Sequence, residues 1–172
     1  LLAGLATVQA QPAAYPRQPL KWVVPFAPGG TTDVIARQLA MRMGQTMGQP
    51  VIADNKPGAA SIIGPTFIAR SAPDGYTVGT VDSGTLAFNP AMYASLSYNA
   101  EKDFSFIGGL GRMPLVLAVH PAFPAKNVQE FLALVRKSPG SVSSASSGPG
   151  SPLHVALDLF NQQIQTDILH VA

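Results

Sequence analysis

One arrangement constrains this chain more than any other: an apolar run that ends in a glycine-rich turn and leads straight into an amphipathic helix. Leu20 to Phe26 (LKWVVPF) is apolar and β-branched, bounded by Pro19 and by Pro28-Gly29-Gly30, and reads as a buried strand. Thr31 to Met47 then carries Ile35, Leu39, Met43 and Met47 at four-residue spacing, the apolar stripe of a helix. Gly48-Gln49-Pro50 ends it, a C-terminal glycine followed by proline. The alternation continues with a strand at Val51 to Ala53, a helix at Ala59 to Arg70, and a strand at Tyr76 to Val81 after the turn Pro73-Asp74-Gly75. Leu86 to Tyr93 reads as helical, interrupted by Asn89-Pro90. Further strands are expected at Phe106 to Leu110, Leu115 to His120, Val142 to Ser146 and Ile168 to Val171, with helices at Val128 to Lys137 and Ser151 to Gln163. Such alternation predicts an α/β fold with a largely parallel sheet. It relaxes between Asn99 and Arg112, where a change of domain is expected.

Composition serves mainly to exclude. Charged residues make up only 12% against 47% hydrophobic, the reverse of the signature of disorder. The net charge is +2 and no basic run exceeds Arg136-Lys137, so the electrostatic footprint of a nucleic-acid binder is absent. With no cysteine, thiol catalysis, disulfides and Cys-ligated zinc are excluded together. No stretch reaches the roughly 18 apolar residues of a membrane span. Leu1 to Val8 is short and apolar, and Val8-Gln9-Ala10 resembles a small-x-small cleavage site. It reads as the tail of a secretory signal peptide with a mature start near Gln11, the alternative being an apolar N-terminal strand or helix turn. The end, DILHVA, falls inside an apolar strand, so a C-terminally incomplete chain is expected.

Three turns share the strand, Gly/Ser/Thr-rich turn, helix design: Ala27 to Asp33, Asp82 to Thr85, and Ser146 to Ser151. A helix N-terminus offers unpaired N–H groups and partial positive charge, which favour a carboxylate or phosphate. Glycines let the backbone approach a ligand, and hydroxyls add donors. Turns at the C-terminal ends of strands converge on one crevice in open α/β sheets. Each turn alone is better explained by ordinary capping and tight-turn chemistry, and Asp33 by a favourable acid in a first helical turn. Three together point to an anion site. Nucleotide-binding signatures are missing, and Pro149 removes a donor from the partial match at Gly148-Pro149-Gly150.

The catalytic inventory is thin. His120, His154 and His170 have no metal-ligand spacing, and an acid pair is not visible. Ser151 and His154 lie three apart on one helix, which invites a Ser–His reading, but no nucleophile elbow surrounds Ser151. Ser151 as an N-cap or ligand donor is preferred. His154 reads as packed or cleft-lining and His170 as a satisfied core histidine. Trp22, Phe26 and Phe88 read as core, with a pocket wall as the alternative.

Longer matches then accumulate: Tyr15-Pro16, Val23-Val24-Pro25-Phe26, Pro28-Gly29-Gly30, Asp33, Gly48-Gln49-Pro50-Val51, Asn55-Lys56-Pro57-Gly58-Ala59, Ala72-Pro73-Asp74-Gly75-Tyr76-Thr77, Asn89-Pro90, Glu101-Lys102-Asp103-Phe104, Ser147-Gly148, Gly150-Ser151-Pro152 and His170-Val171. From Tyr15 onward the chain resembles the Bug-type solute receptors, the extracytoplasmic binding proteins of tripartite tricarboxylate transporters. The resemblance implies a periplasmic-binding-protein type II-like α/β fold whose two lobes close on a ligand. It divides the chain into a leader remnant and tail (1–14), lobe one without its return segment (15–105), and the truncated start of lobe two (106–172). It further implies a periplasmic protein without cofactor, metal or catalysis. Such a protein captures a small carboxylate (a di- or tricarboxylate, an aromatic acid or an acidic amino acid) and is read by the transporter's membrane subunits. Carried over by position, the contacts would come from Phe26, Gly29, Gly30 and Thr31, from Ser83, Gly84 and Thr85, and from Ser147, Gly148 and Ser151. Asp82 would either point away or help select ligands. The competing expectation is an α/β hydrolase-like enzyme using Ser151 or Ser83.

Overall fold

Strand β1 (Leu20–Val24) is the centre of the first sheet, with β2 (Val51–Asn55) on one side and β3 (Thr77–Gly79) on the other, all parallel. The structure, a computed structural model, describes residues 15–172. The expected signal-peptide tail therefore lies outside the described residues. Lys21 stands opposite Ile52 on β2 and Thr77 on β3. Paired on both edges and covered by helices, β1 buries Leu20, Trp22, Val23 and Val24, as the near-continuous apolar run requires of a central parallel strand. Complete burial of a valine such as Val24 contributes about 1.5–3 kcal/mol.

Helix α1 (Thr31–Met47) lays Ala36 and Ala40 on Trp22 and Val24, with Leu39 and Met43 at the margin. It ends where the sequence places its stop, at a left-handed Gly48 whose N–H donates to the Gly44 carbonyl. Helix α2 (Ile63–Ala69) packs on β1 and β3. It starts four residues later than expected, because Ala59, Ala60 and Ser61 take left-handed φ values of 47°, 52° and 61°. After β3 the chain forms a π-helical turn, Gly84–Phe88, continuous with α3 (Asn89–Met92). Pro90 does not interrupt: it sits in the first turn of α3, where its missing N–H leaves no bond unmade.

A second hydrophobic cluster forms later in the chain. Phe131 and Val135 of α4 (Val128–Lys137) meet Leu157 and Ile164 of α5 (Pro152–Ile164), with Ala125 and Ile168. Asn127 caps α4 by accepting from the Glu130 N–H, and Glu130 reaches back to accept from the Lys126 N–H. Strands β4 (Ser143–Ala145) and β5 (Leu169–Val171) pair in parallel, Ser144 opposite His170.

Between the two clusters, the strands expected at Phe106 to Leu110 and Leu115 to His120 do not form. The segment is exposed, with Ile107 and Val116 among its most open residues. An apolar run supplies only one side of a ladder. Among the described residues no neighbouring strand supplies the other, so the backbone has nothing to pair with.

Candidate functional site

The first turn is held shut by one carboxylate. Asp33 is buried, and its Oδ2 accepts from the Gly29 N–H at 2.8 Å and from Arg37 Nε at 3.0 Å. Asn55, at the end of β2, donates from Nδ2 to Asp33 Oδ1 (2.8 Å) and to the Phe26 carbonyl (3.0 Å), while its own Oδ1 accepts from Arg37 Nη2 (2.7 Å). The Arg37 hydrogen bond, then the Gly29 amide and Asn55, hold the Asp33 pKa down at about 2. Gly29, at φ 85°, is where the turn demands glycine. This wiring commits the nearby cation, Arg37, to Asp33. Gly30, the N-cap of α1, offers no side chain, so no cap competes for the first amides of that helix. Gly29, Gly30 and Thr31 are exposed.

The second turn is closed in the same manner. Asp82 Oδ1 accepts from the Thr85 N–H at 2.9 Å, and the Asp82 carbonyl accepts from the Leu86 N–H. Ser83 is exposed, Gly84 and Thr85 are buried. The Tyr98 hydroxyl donates to the Thr85 carbonyl at 2.8 Å. Burial raises the Tyr98 pKa, so the phenol stays a donor; an Asn89 hydrogen bond acts the other way and the Asp82 charge adds to the rise. Two polar atoms here are buried without a partner: Thr85 Oγ1 and Asn89 Oδ1. Asn89 donates from Nδ2 to the Ala60 carbonyl at 3.1 Å and so pins the left-handed turn.

The third turn is governed by Ser146 and His154. Ser146 Oγ accepts from the Gly148 N–H at 3.0 Å, and His154 Nδ1 accepts from the Gly150 N–H at 3.1 Å. Ser151 is the N-cap of α5, its Oγ accepting from the His154 backbone N–H at 3.3 Å, as its preferred reading anticipated. Gly150 approaches α3 and the left-handed turn closely: a Cβ there would lie 3.4 Å from Asn89 Oδ1 and 3.6 Å from Ala60 Cβ. Gly84 and Pro152 make a similar approach, with 3.5 Å from a Gly84 Cβ to Pro152 Cδ.

Between the loops that follow β1 and β2 and the third turn lies a cleft of about 670 Å³, within the size range of small-molecule sites. Pro25, Phe26 and Ala27 form one wall, Pro57 to Ile62 another, and Ser147 to Pro149 a third, with Tyr93 at the side. Of the residues expected to hold a ligand, Phe26, Ser147 and Gly148 line this cleft. Gly29, Gly30 and Thr31 stand beside Phe26 in sequence, and Ser83, Gly84, Thr85 and Ser151 are set back from the lining. Sequence reasoning missed the 57–62 wall as part of the site. Pro57-Gly58 signalled a turn, but nothing local signalled three left-handed residues, a conformation costing roughly 1–2 kcal/mol apiece.

No side-chain imidazole is bonded to Ser151 or Ser83 among the described residues. The Ser–His side-chain pair that does exist is Ser146 Oγ with His170 Nε2, at 2.6 Å. The hydrolase expectation rested on Ser151 and Ser83; Ser151 Oγ serves a main-chain cap, and the expectation is dropped.

Residues 35–172 match the model of the tripartite tricarboxylate transporter family receptor. The chain belongs to that family. BugT of Bordetella pertussis is 37% identical over 147 residues, covering 85% of this chain and 45% of BugT. Among solved structures, Rpa4515 of R. palustris with adipate superposes with a TM-score of 0.87 at 30% identity, covering 91% of this chain and 52% of that one. MatC from Rhodopseudomonas palustris with bound malate gives 0.83 at 34% identity, covering 91% and 53%. The periplasmic binding protein BugD gives 0.78 at 33% identity, covering 91% and 52%. The chain thus has the α/β fold of periplasmic binding proteins, and spans about half the length of the curated relatives it matches. No helix among the described residues is long and apolar enough to cross a membrane.

Proposed function

We propose that this receptor chain captures a small carboxylate in this cleft, in the periplasm, on behalf of a tripartite transporter whose membrane subunits read the closed form. The observation that carries the reading is the cleft itself, where Phe26 from the first turn faces Ser147 and Gly148 from the third. Its lining is built from backbone, small hydroxyls and apolar surface. Asp33 and Asp82 each occupy one amide, in the first and second turns, and so fix those loops before any ligand arrives. Pre-fixed dipoles bind an anion without the entropy cost of ordering them. Adipate and malate in two family neighbours are carboxylates of the size this cleft accommodates. Residues 15–105 and 106–172 would then belong to two lobes, with Gly29, Gly30, Thr31, Ser83, Gly84, Thr85 and Ser151 closing on the ligand beside the lining residues.

Thermal unfolding in the presence of di- and tricarboxylates, aromatic acids and acidic amino acids tests this. A ligand at about a hundred times its Kd adds about 2.7 kcal/mol of stability. One acid class is expected to raise Tm without being consumed. A panel in which no carboxylate shifts Tm, at any concentration up to the millimolar range, refutes the reading.

A further inference from the structure

The third turn is wired to two histidines in a way that neither capping nor packing requires. Gly150 donates its N–H to His154 Nδ1 at 3.1 Å. A nitrogen that accepts carries no proton, so the ring proton of a neutral His154 sits on Nε2, which faces Asp158 Oδ2 at 3.6 Å. The His154 ring stacks on that of His170 of β5, with centroids 4.0 Å apart and planes 28° from parallel. His170 Nε2 in turn meets Ser146 Oγ, the acceptor of the Gly148 N–H. The ionisable groups facing His154 are therefore Asp158 on its own helix and His170 on β5; the turn from Ser146 to Ser151 adds none.

Resting on the carboxylate reading above, we propose that His154 is a positioning residue that sets the anion affinity of the third turn according to its protonation. When neutral, it withholds the Gly150 amide. When protonated, Nδ1 becomes a donor and can no longer accept, so the Gly150 N–H is released beside a new positive charge. Gly150 follows directly on Ser147 to Pro149, which line the cleft, so both changes occur in the turn that forms that wall. An imidazolium at His154 faces the Asp158 carboxylate at 3.6 Å. A carboxylate and a proton thus favour each other's binding, by linkage.

The test is calorimetric titration of the 172-residue chain with adipate and with malate at about pH 6 and about pH 8.5, which bracket the range where imidazoles change charge. The Kd of whichever acid binds is expected to be about tenfold lower at the acid end, the worth of one released charge-assisted donor. His154→Gln keeps an acceptor without titrating and is expected to bind with a flat profile. His170→Gln is expected to retain the slope. Equal affinity at both pH values in the unaltered chain, or a slope that persists in His154→Gln, overturns the inference. A ligand-free readout separates the two claims: the Gly150 amide proton resonance is expected to move with the His154 ring during a pH titration. A Gly150 amide indifferent to the ring overturns the inference by itself. If that amide tracks the ring while no acid of the thermal panel binds, the carboxylate reading fails and the affinity claim falls with it.

Discussion

Gly64→Ala probes how closely α2 must approach β1 to build the cleft wall. Gly64 lies in the first turn of α2, and a Cβ there would sit 2.8 Å from Pro25 Cβ, 3.0 Å from Pro25 Cα and 3.3 Å from the Lys56 carbonyl oxygen. Carbon atoms in good contact stand about 3.5–4.0 Å apart, so the new methyl overlaps its nearest neighbour by more than half an ångström. None of those neighbours can rotate away: two belong to a fully buried proline and one is backbone. Overpacking of this kind costs about 1–3 kcal/mol. Against it stands the helix preference of alanine over glycine, at most about 1 kcal/mol and less in a first turn. A net destabilisation of about 1–2 kcal/mol follows. Trp22 is the one tryptophan of the chain and lies buried in the same sheet, with its Nε1 donating to Thr80 Oγ1 at 2.9 Å. Its fluorescence reports unfolding of that sheet directly. With a urea slope of about 2 kcal/mol/M, the midpoint is expected to fall by about 0.5–1 M. Gly108→Ala is the control, since nothing lies within 4 Å of its added methyl. A Gly64→Ala midpoint equal to or above that of the parent refutes the close-approach argument.

Two further outcomes are expected. The Asp33 pKa is lowered from 3.8 to about 2. The folded state therefore binds that proton more weakly than the unfolded state. The stability contributed is complete above the unfolded value and is lost as pH falls towards about 2. Melting followed by circular dichroism should show Asp33→Asn losing this part of the acid dependence; parallel acid limbs in the two proteins would sink the account. Ser151→Ala removes the α5 cap and is expected to cost about 1 kcal/mol, a fall in Tm of about 2–4 °C by calorimetry. An unchanged Tm would mean that the 3.3 Å bond to the His154 amide contributes nothing.

Much of the fold was legible because its signals are local. A stripe at four-residue spacing and a Gly-Pro stop placed α1 at Thr31–Met47, and the helix expected at Val128 to Lys137 is α4. Where the expectation failed, the deciding partner was remote. The runs at 106–110 and 115–120 have strand composition but no strand beside them among the described residues. Ala59 to Ser61 have helix composition, yet Asn89, twenty-nine residues on from Ala60, pins their left-handed turn through the Ala60 carbonyl.

The candidate site divides along the same line. Strand–helix alternation and turn chemistry are properties of residue types in order, and they pointed to the α/β class and an anion-favouring design, while the motifs from Tyr15 onward carried the resemblance to the family. Sequence order could not say which donors stay available, because that depends on side chains arriving from elsewhere in the fold. Tertiary structure decided that Asp33 takes the Gly29 amide with help from Asn55. It likewise decided that His154 takes that of Gly150 while stacked on His170. It also brought Pro57 to Ile62 into the cleft beside Phe26 and Ser147. A hydrogen bond is made by proximity in space, and proximity between residues far apart in the chain exists only once the chain has folded.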